Sequence, residues 1–319
     1  MKNKEISNLR NLLICILIMF LCLPAFSKQN TQKTRTRPER SVKPEPTHVD
    51  ISYGPSKANM IDFWKVKSIK PAPLFVFIHG GGFRGGSRKS INPVLLKRCL
   101  EAGIAVASID YRLSGEAHYP AQMHVSARAI QFIRSKAKQW NINPDLIAAG
   151  GGSAGSGISQ WLGFHENMAK PQSKDPIARQ STRLTCVLAL NMQSTYDPRQ
   201  IKKIVPGNAY DHPALKQLFG LPNNWNWDTD TIDKKLDEGL KDVSPITHLT
   251  SDDPPVFALH YAAAEKPGNI HHPNFGKYLK KKMDSLGIEC IHKMDTDFEP
   301  RNKQFTAQIK FLKKHFGTK

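Results

Sequence analysis

Cysteine is scarce in this chain of 319 residues, and the few that occur are poorly placed for cross-linking. Of the five, Cys15 and Cys22 fall in an N-terminal apolar run, and Cys99, Cys186 and Cys290 stand far apart. That spacing offers neither a disulfide framework nor a cysteine-based metal cluster, and Cys186 and Cys290, set in apolar strand-like runs, read as core residues. Long hydrophobic runs are missing as well. Residues 12–23 form an apolar stretch of about twelve residues, where a bilayer-spanning helix needs about 20. Acidic residues are outnumbered, 27 Asp and Glu against 46 Lys and Arg, for a net charge of +19. No internal repeat and no recognised nucleic-acid motif accompanies that charge, so nucleic acid is not an expected partner. Lysine-rich segments such as 277–282 and 310–314 read as solvated helix faces, with attraction to an acidic polymer or a membrane surface as the alternative.

What is present begins with a leader. Lys2, Lys4 and Arg10 precede the short apolar run, and the small residues of Pro24-Ala25-Phe26-Ser27 follow it. This is the pattern of a cleaved export signal over residues 1–27, and it implies a secreted or periplasmic protein. Residues 28–47, rich in Lys, Arg, Thr, Gln and Pro without an apolar period, read as a disordered basic linker. Residues 48–319 suit one α/β domain with a core of ample size.

Along that domain, strand-like and helix-like runs alternate, which implies a mainly parallel sheet covered by helices on both faces. Strands are expected at 49–53, 60–64, 74–78, 104–109, 146–149, 184–191, 255–260 and 289–293. Helices are expected at 92–102, 120–140, 157–164, 275–286 and 302–316. In the second of these, Val125, Ala129, Phe132, Ile133 and Ala137 recur at three- and four-residue spacing and make one apolar stripe. Residues 196–243 show no sheet pattern and read as a cap inserted over a pocket. Trp225 and Trp227 within it serve either to pin the cap or to line the pocket.

Two glycine-rich runs carry the chemistry. His79-Gly80-Gly81-Gly82-Phe83 follows the buried strand 74–78. Gly151-Gly152-Ser153-Ala154-Gly155 follows 146–149 and precedes a helix. A serine between glycines at a sharp strand-to-helix turn stands exposed, with helix N–H groups beside it for a developing oxyanion. Ser153 is the expected nucleophile, and Gly81, Gly82 and Ala154 are the expected oxyanion donors through their backbone N–H groups.

In this order, each after a strand, the two motifs resemble the α/β-hydrolase family, and within it the HGGG bacterial esterases of the hormone-sensitive-lipase and feruloyl/acetylxylan-esterase-like branch. The resemblance runs from about Ile51 to the C-terminus. It implies the α/β-hydrolase fold with a cap insertion, a structural role for His79, and help from Tyr111-Arg112 in shaping the oxyanion side. It also implies an acid just beyond strand 255–260 and a histidine just after the last strand. Here the first loop has only Glu265 as carboxylate, which is either the acid or a surface residue paired with Lys266. The second loop, 294–300, has no histidine. By elimination His272, or failing that His271, is the expected base, since His292 lies in a strand and His315 in the closing helix. The alternative is that these two histidines only cap the next helix.

The resemblance thus implies a secreted serine carboxylesterase acting on small acyl esters, on small molecules or on polysaccharides, without cofactor or metal. The missing acid and base support a different reading, a catalytically reduced relative that binds a ligand or polysaccharide.

Overall fold

The computed structural model describes residues 42–318. The expected leader and residues 28–41 of the expected linker lie outside them. The linker's last residues are described, and they do not hang free. Trp64 Nε1 donates to Pro44 O at 2.8 Å, and Lys65 N donates to Thr47 Oγ1 at 2.9 Å. A buried indole N–H requires a partner, and residue 44 supplies it, so residues assigned to the expected linker already pack against Trp64 and Lys65.

Eight strands form one sheet in the order β1-β2-β4-β3-β5-β6-β7-β8. β1 (His48–Ser52) and β2 (Met60–Trp64) are antiparallel to each other, and β2 is antiparallel to β4 (Ala105–Ile109). The others run parallel: β3 (Ala72–Ile78), β5 (Ile142–Gly152), β6 (Val187–Leu190), β7 (Val256–His260) and β8 (Cys290–Met294). Every residue of β3 and β4 is buried, as continuous apolar strands with both faces covered must be. Alternate residues of β3 feed two cores. Leu74, Val76 and Ile78 pack on one side, and Phe75 and Phe77 on the other.

Helices cover both sides. α1 (Pro93–Glu101) starts where the Asn92 side chain accepts from Val94 N and Leu95 N, with proline at the first helical position. With α10 (Lys303–Phe316) it covers the Phe75 side. α2 (Ala121–Ser135), α4 (Ala154–Phe164) and α9 (Asn274–Ser285) cover the other. The single helix expected over 120–140 is broken at Lys136, and a short α3 (Ala137–Trp140) follows. The break turns Trp140 against Phe63 of β2, with ring centroids 4.3 Å apart.

Between β6 and β7 come α5 (Pro198–Ile204), α6 (Pro213–Leu218), α7 (Lys234–Asp242) and α8 (Pro245–His248). Ile201, Val205, Leu215, Leu218, Leu240 and Val243 from this segment belong to the same buried cluster as Val76 and Ile158. The expected cap is therefore also part of the core, and its loss would expose the sheet's covering layer. Trp225 and Trp227 pack edge to face with centroids 6.0 Å apart.

Strand order reverses around β3, which has β4 on one side and β5 on the other. Loops leaving β3 and β5 diverge there, and the crevice at the carboxyl end of such a switch point is where open α/β sheets place ligands. Ile78 at the end of β3 is in register with Gly151 at the end of β5, so both glycine motifs open onto that crevice.

Candidate active site

Ser153 sits between β5 and α4 with φ 52° and ψ −121°, in a backbone region that non-glycine residues rarely adopt. Holding it there costs of order 1–3 kcal/mol, offset by the surrounding packing. Close approach of the β3 end provides that packing. A Cβ on Gly151 or on Gly155 would run into the Ile78 carbonyl oxygen, which is why glycine stands on both sides of the serine. Ser153 N donates to Leu190 O at 2.9 Å, and its carbonyl accepts from Gly157 N at 3.0 Å as the first turn of α4 forms.

The loop after β3 returns beside the serine with Gly81 at φ 114° and Gly82 at φ 61°. His79 anchors it. Its ring is buried, stacks on Tyr111 with centroids 4.3 Å apart, and holds the Gly80 carbonyl from Nδ1 at 2.8 Å. Tyr111 OH donates to His79 O at 3.1 Å. Burial, above all, pushes the His79 pKa below the ordinary histidine value. Asp110, 3.8 Å from His79 Nε2, is in turn gripped by the Arg88 guanidinium, which also binds Asp50 and Asp62. His79 thus faces away from chemistry and fixes the loop.

Gly81, Gly82, Ser153 and Ala154 share one cavity of about 700 Å³. His271 enters it from the loop between β7 and α9, and its Nε2 lies 2.8 Å from Ser153 Oγ. Of the two expected histidines, His272 or failing that His271, it is the second that stands beside the serine. His272 points the other way, its Nδ1 accepting from Asn274 N at 3.2 Å at the start of α9. The peptide between Ile270 and His271, just before the pair, is pinned at both its N–H and its carbonyl. His271 N donates to Asn269 Oδ1 at 2.8 Å, and Gln193 Nε2 donates to Ile270 O at 2.8 Å.

Glu265, the expected acid, is exposed and pairs with Lys277 Nζ at 3.2 Å, away from His271. Among the described residues no carboxylate hydrogen-bonds either ring nitrogen of His271. Burial first, and His212 second, push its pKa below the ordinary value. His292 is turned from the cavity onto His260, with ring nitrogens 3.2 Å apart, and burial drives His260 down to about 3. His315 lies beside Glu289.

Gln193, Tyr196 and His212 also line the cavity and were not singled out from the sequence. Gln193 follows the carboxyl end of β6 by three residues, so its place at that edge of the sheet was the available signal. His212 accepts from Ala214 N at 3.2 Å and caps α6, which brings it over the cavity. Trp225 and Trp227 are not among the lining residues.

A family model described as BD-FAE matches residues 62–266. The probable carboxylic ester hydrolase LipM of Mycobacterium tuberculosis is 27% identical over 220 residues, 66% of this chain and 46% of LipM. The chain spans about half the length of the curated relatives it matches. Among solved structures, a truncated carbohydrate esterase from gut microbiota superposes with a TM-score of 0.67 at 18% identity, over 88% of this chain and 99% of that one. An acetyl ester-xyloside bifunctional hydrolase from Caldicellulosiruptor lactoaceticus gives 0.65 at 18% identity, over 80% and 87%. At these identities the structural likeness establishes the fold, an α/β-hydrolase.

Proposed function

The chain belongs to the BD-FAE family of α/β-hydrolase esterases, and from that premise we propose that it is a serine carboxylesterase working through a Ser153–His271 dyad. The observation that carries this reading is the 2.8 Å contact between His271 Nε2 and Ser153 Oγ at the mouth of the glycine loop. Ser153 Oγ attacks the ester carbonyl while its proton passes to His271 Nε2. The tetrahedral oxyanion is met by the N–H groups of Gly81, Gly82 and Ala154. His271 then gives the proton to the departing alcohol, and a water activated by the same nitrogen releases the acid from Ser153. With no carboxylate among the described residues bonded to His271 to stabilise the imidazolium, the rate falls below that of a complete triad. The reading as a catalytically reduced binding protein rested on a missing acid and a missing base, and His271 beside Ser153 weakens the second of these grounds.

The substrates we propose are small acyl esters, including acyl groups on polysaccharide, with the leader at 1–27 exporting the chain. The names of the structural neighbours and the cavity's modest size support this. Arg84 on the cavity rim pairs with no carboxylate among the described residues, which favours an acidic polymer as the carrier of the ester.

A fluorophosphonate probe should label the protein on the peptide containing Ser153, and Ser153→Ala should remove the label. Mass mapping that places the label elsewhere would end this proposal. The pH profile gives a second check. Because burial and His212 lower the pKa of His271, its base form persists to lower pH, so the acid limb of kcat/KM should fall below the ordinary histidine value of about 6.5. A limb above that value would show an anion beside His271 that the structure lacks.

A further inference from the structure

At the end of α4 remote from Ser153, three side chains from separate elements converge. His165 follows the last residue of α4, Asp242 ends α7, and His248 ends α8. One ligand-capable atom from each lies within 4.8 Å of the other two, and all three residues are partly exposed. Two imidazoles and a carboxylate make a donor set that suits Zn²⁺ and leaves a position for water.

The surroundings prepare these groups for that role. His165 Nδ1 lies 3.0 Å from Glu166 O, and His248 Nε2 lies 2.7 Å from Asp242 O. For His165, a ring N–H donating to a main-chain carbonyl fixes the tautomer and leaves the lone pair on Nε2, the usual arrangement of a metal-binding histidine, whereas His248 Nε2 also lies 3.5 Å from Asp242 Oδ1 and would exchange its bond to Asp242 O for the metal. The hydroxyl of Tyr119 donates to Asp242 Oδ2, which holds the carboxylate in one orientation. The His165 and His248 rings are 4.8 Å apart, and Trp161 supports both, at 4.2 and 6.0 Å between centroids. Among the described residues Asp242 pairs with no lysine or arginine, and its one ion-pair contact is His248 at 3.5 Å.

We propose that His165, Asp242 and His248 bind a divalent transition metal of the Zn²⁺ class, with Tyr119 as a positioning residue. The eleven residues of α4 span about 16 Å, so the site is separate from Ser153. It joins the helix that begins at Ser153 to the last helices of the inserted segment, so the bound ion would staple those elements together.

The experiment uses tag-free protein stripped with EDTA and then titrated with ZnCl₂, read by calorimetry and by thermal unfolding. One saturable equivalent is expected, with a rise in Tm of about 5 °C at a hundredfold excess of Zn²⁺ over its Kd. His165→Ala, His248→Ala and Asp242→Asn should each abolish both signals. Tyr119→Phe should weaken binding about tenfold by freeing the carboxylate. His271→Ala should leave both signals unchanged, because its imidazole belongs to the other end of α4. His165→Gln serves in place of a variant that fails to fold. Absence of saturable binding would overturn the proposal, and so would binding that survives in the His165 and His248 variants.

Discussion

Ser153→Ala and His271→Ala should each lower kcat for a p-nitrophenyl ester by about 10²-fold, and the double substitution should cost no more than either alone. The size follows from what the site lacks. In a complete triad the serine is worth about 10⁶ in kcat, and loss of the carboxylate alone costs about 10⁴ of it. A serine and a histidine without that carboxylate keep the remaining factor of about 10². Equality of the single and double variants tests that the two act as one unit, because a base with no nucleophile to deprotonate contributes nothing. His272→Ala is the internal control. It removes a cap at the start of α9, so it should cost about 1 kcal/mol of stability while kcat stays near wild type. A large fall in kcat for His272→Ala with none for His271→Ala would reverse the assignment. A drop of about 10⁶ for Ser153→Ala would show that a carboxylate completes the site in solution.

Leu218→Ala should destabilise the protein by about 2–5 kcal/mol, read from the shift of the urea midpoint at constant m-value. Leu218 ends α6 in the inserted segment, yet it is fully buried and packs in the same cluster as β3 and α4. Removing its branch leaves a cavity that the sheet side cannot fill by relaxing. A lid that only gated access to the cavity would tolerate the change with less than about 1 kcal/mol lost, since partly exposed contacts give up little burial. That smaller result would restore the view of the segment as a detachable cap.

How far the sequence could be read depended on the range of the signal. The elbow and the glycine loop are local, since each motif carries its own turn chemistry and follows an apolar run, and the structure brings both to one crevice. β3 was legible because the uninterrupted apolar run 74–78 reads as a fully buried central strand, although the strand itself starts two residues earlier, at Ala72. The choice between His271 and His272 was not local. Neighbouring loop residues point in different directions, and the direction was set by Asn269 and by Gln193, the latter from a separate strand end. Glu265 was placed by its position after β7, but Lys277, one helix further on, draws it outward. The convergence of His165, Asp242 and His248 left no mark at all, because three helix ends meet there only after the inserted segment has folded back on α4. The break at Lys136 was hidden for a similar reason. The apolar stripe continues across it, and only the demand of Phe63 for Trp140 interrupts the helix.

His212 stands where two requirements meet. It caps α6 through Ala214 N, and it is the titratable neighbour whose protonated form would oppose protonation of His271. Aspartate is among the best residues for capping a helix N-terminus, and a carboxylate at that place would turn the field on His271 from repulsive to attractive. Histidine and aspartate codons differ by a single base. A single base change therefore places a carboxylate in the field of His271 without passing through a variant that loses its helix cap. For directed evolution, position 212 is the shortest path by which a slow two-residue enzyme could acquire an acid, and one that does not use the loop after β7, where the sequence pattern suggested looking for it.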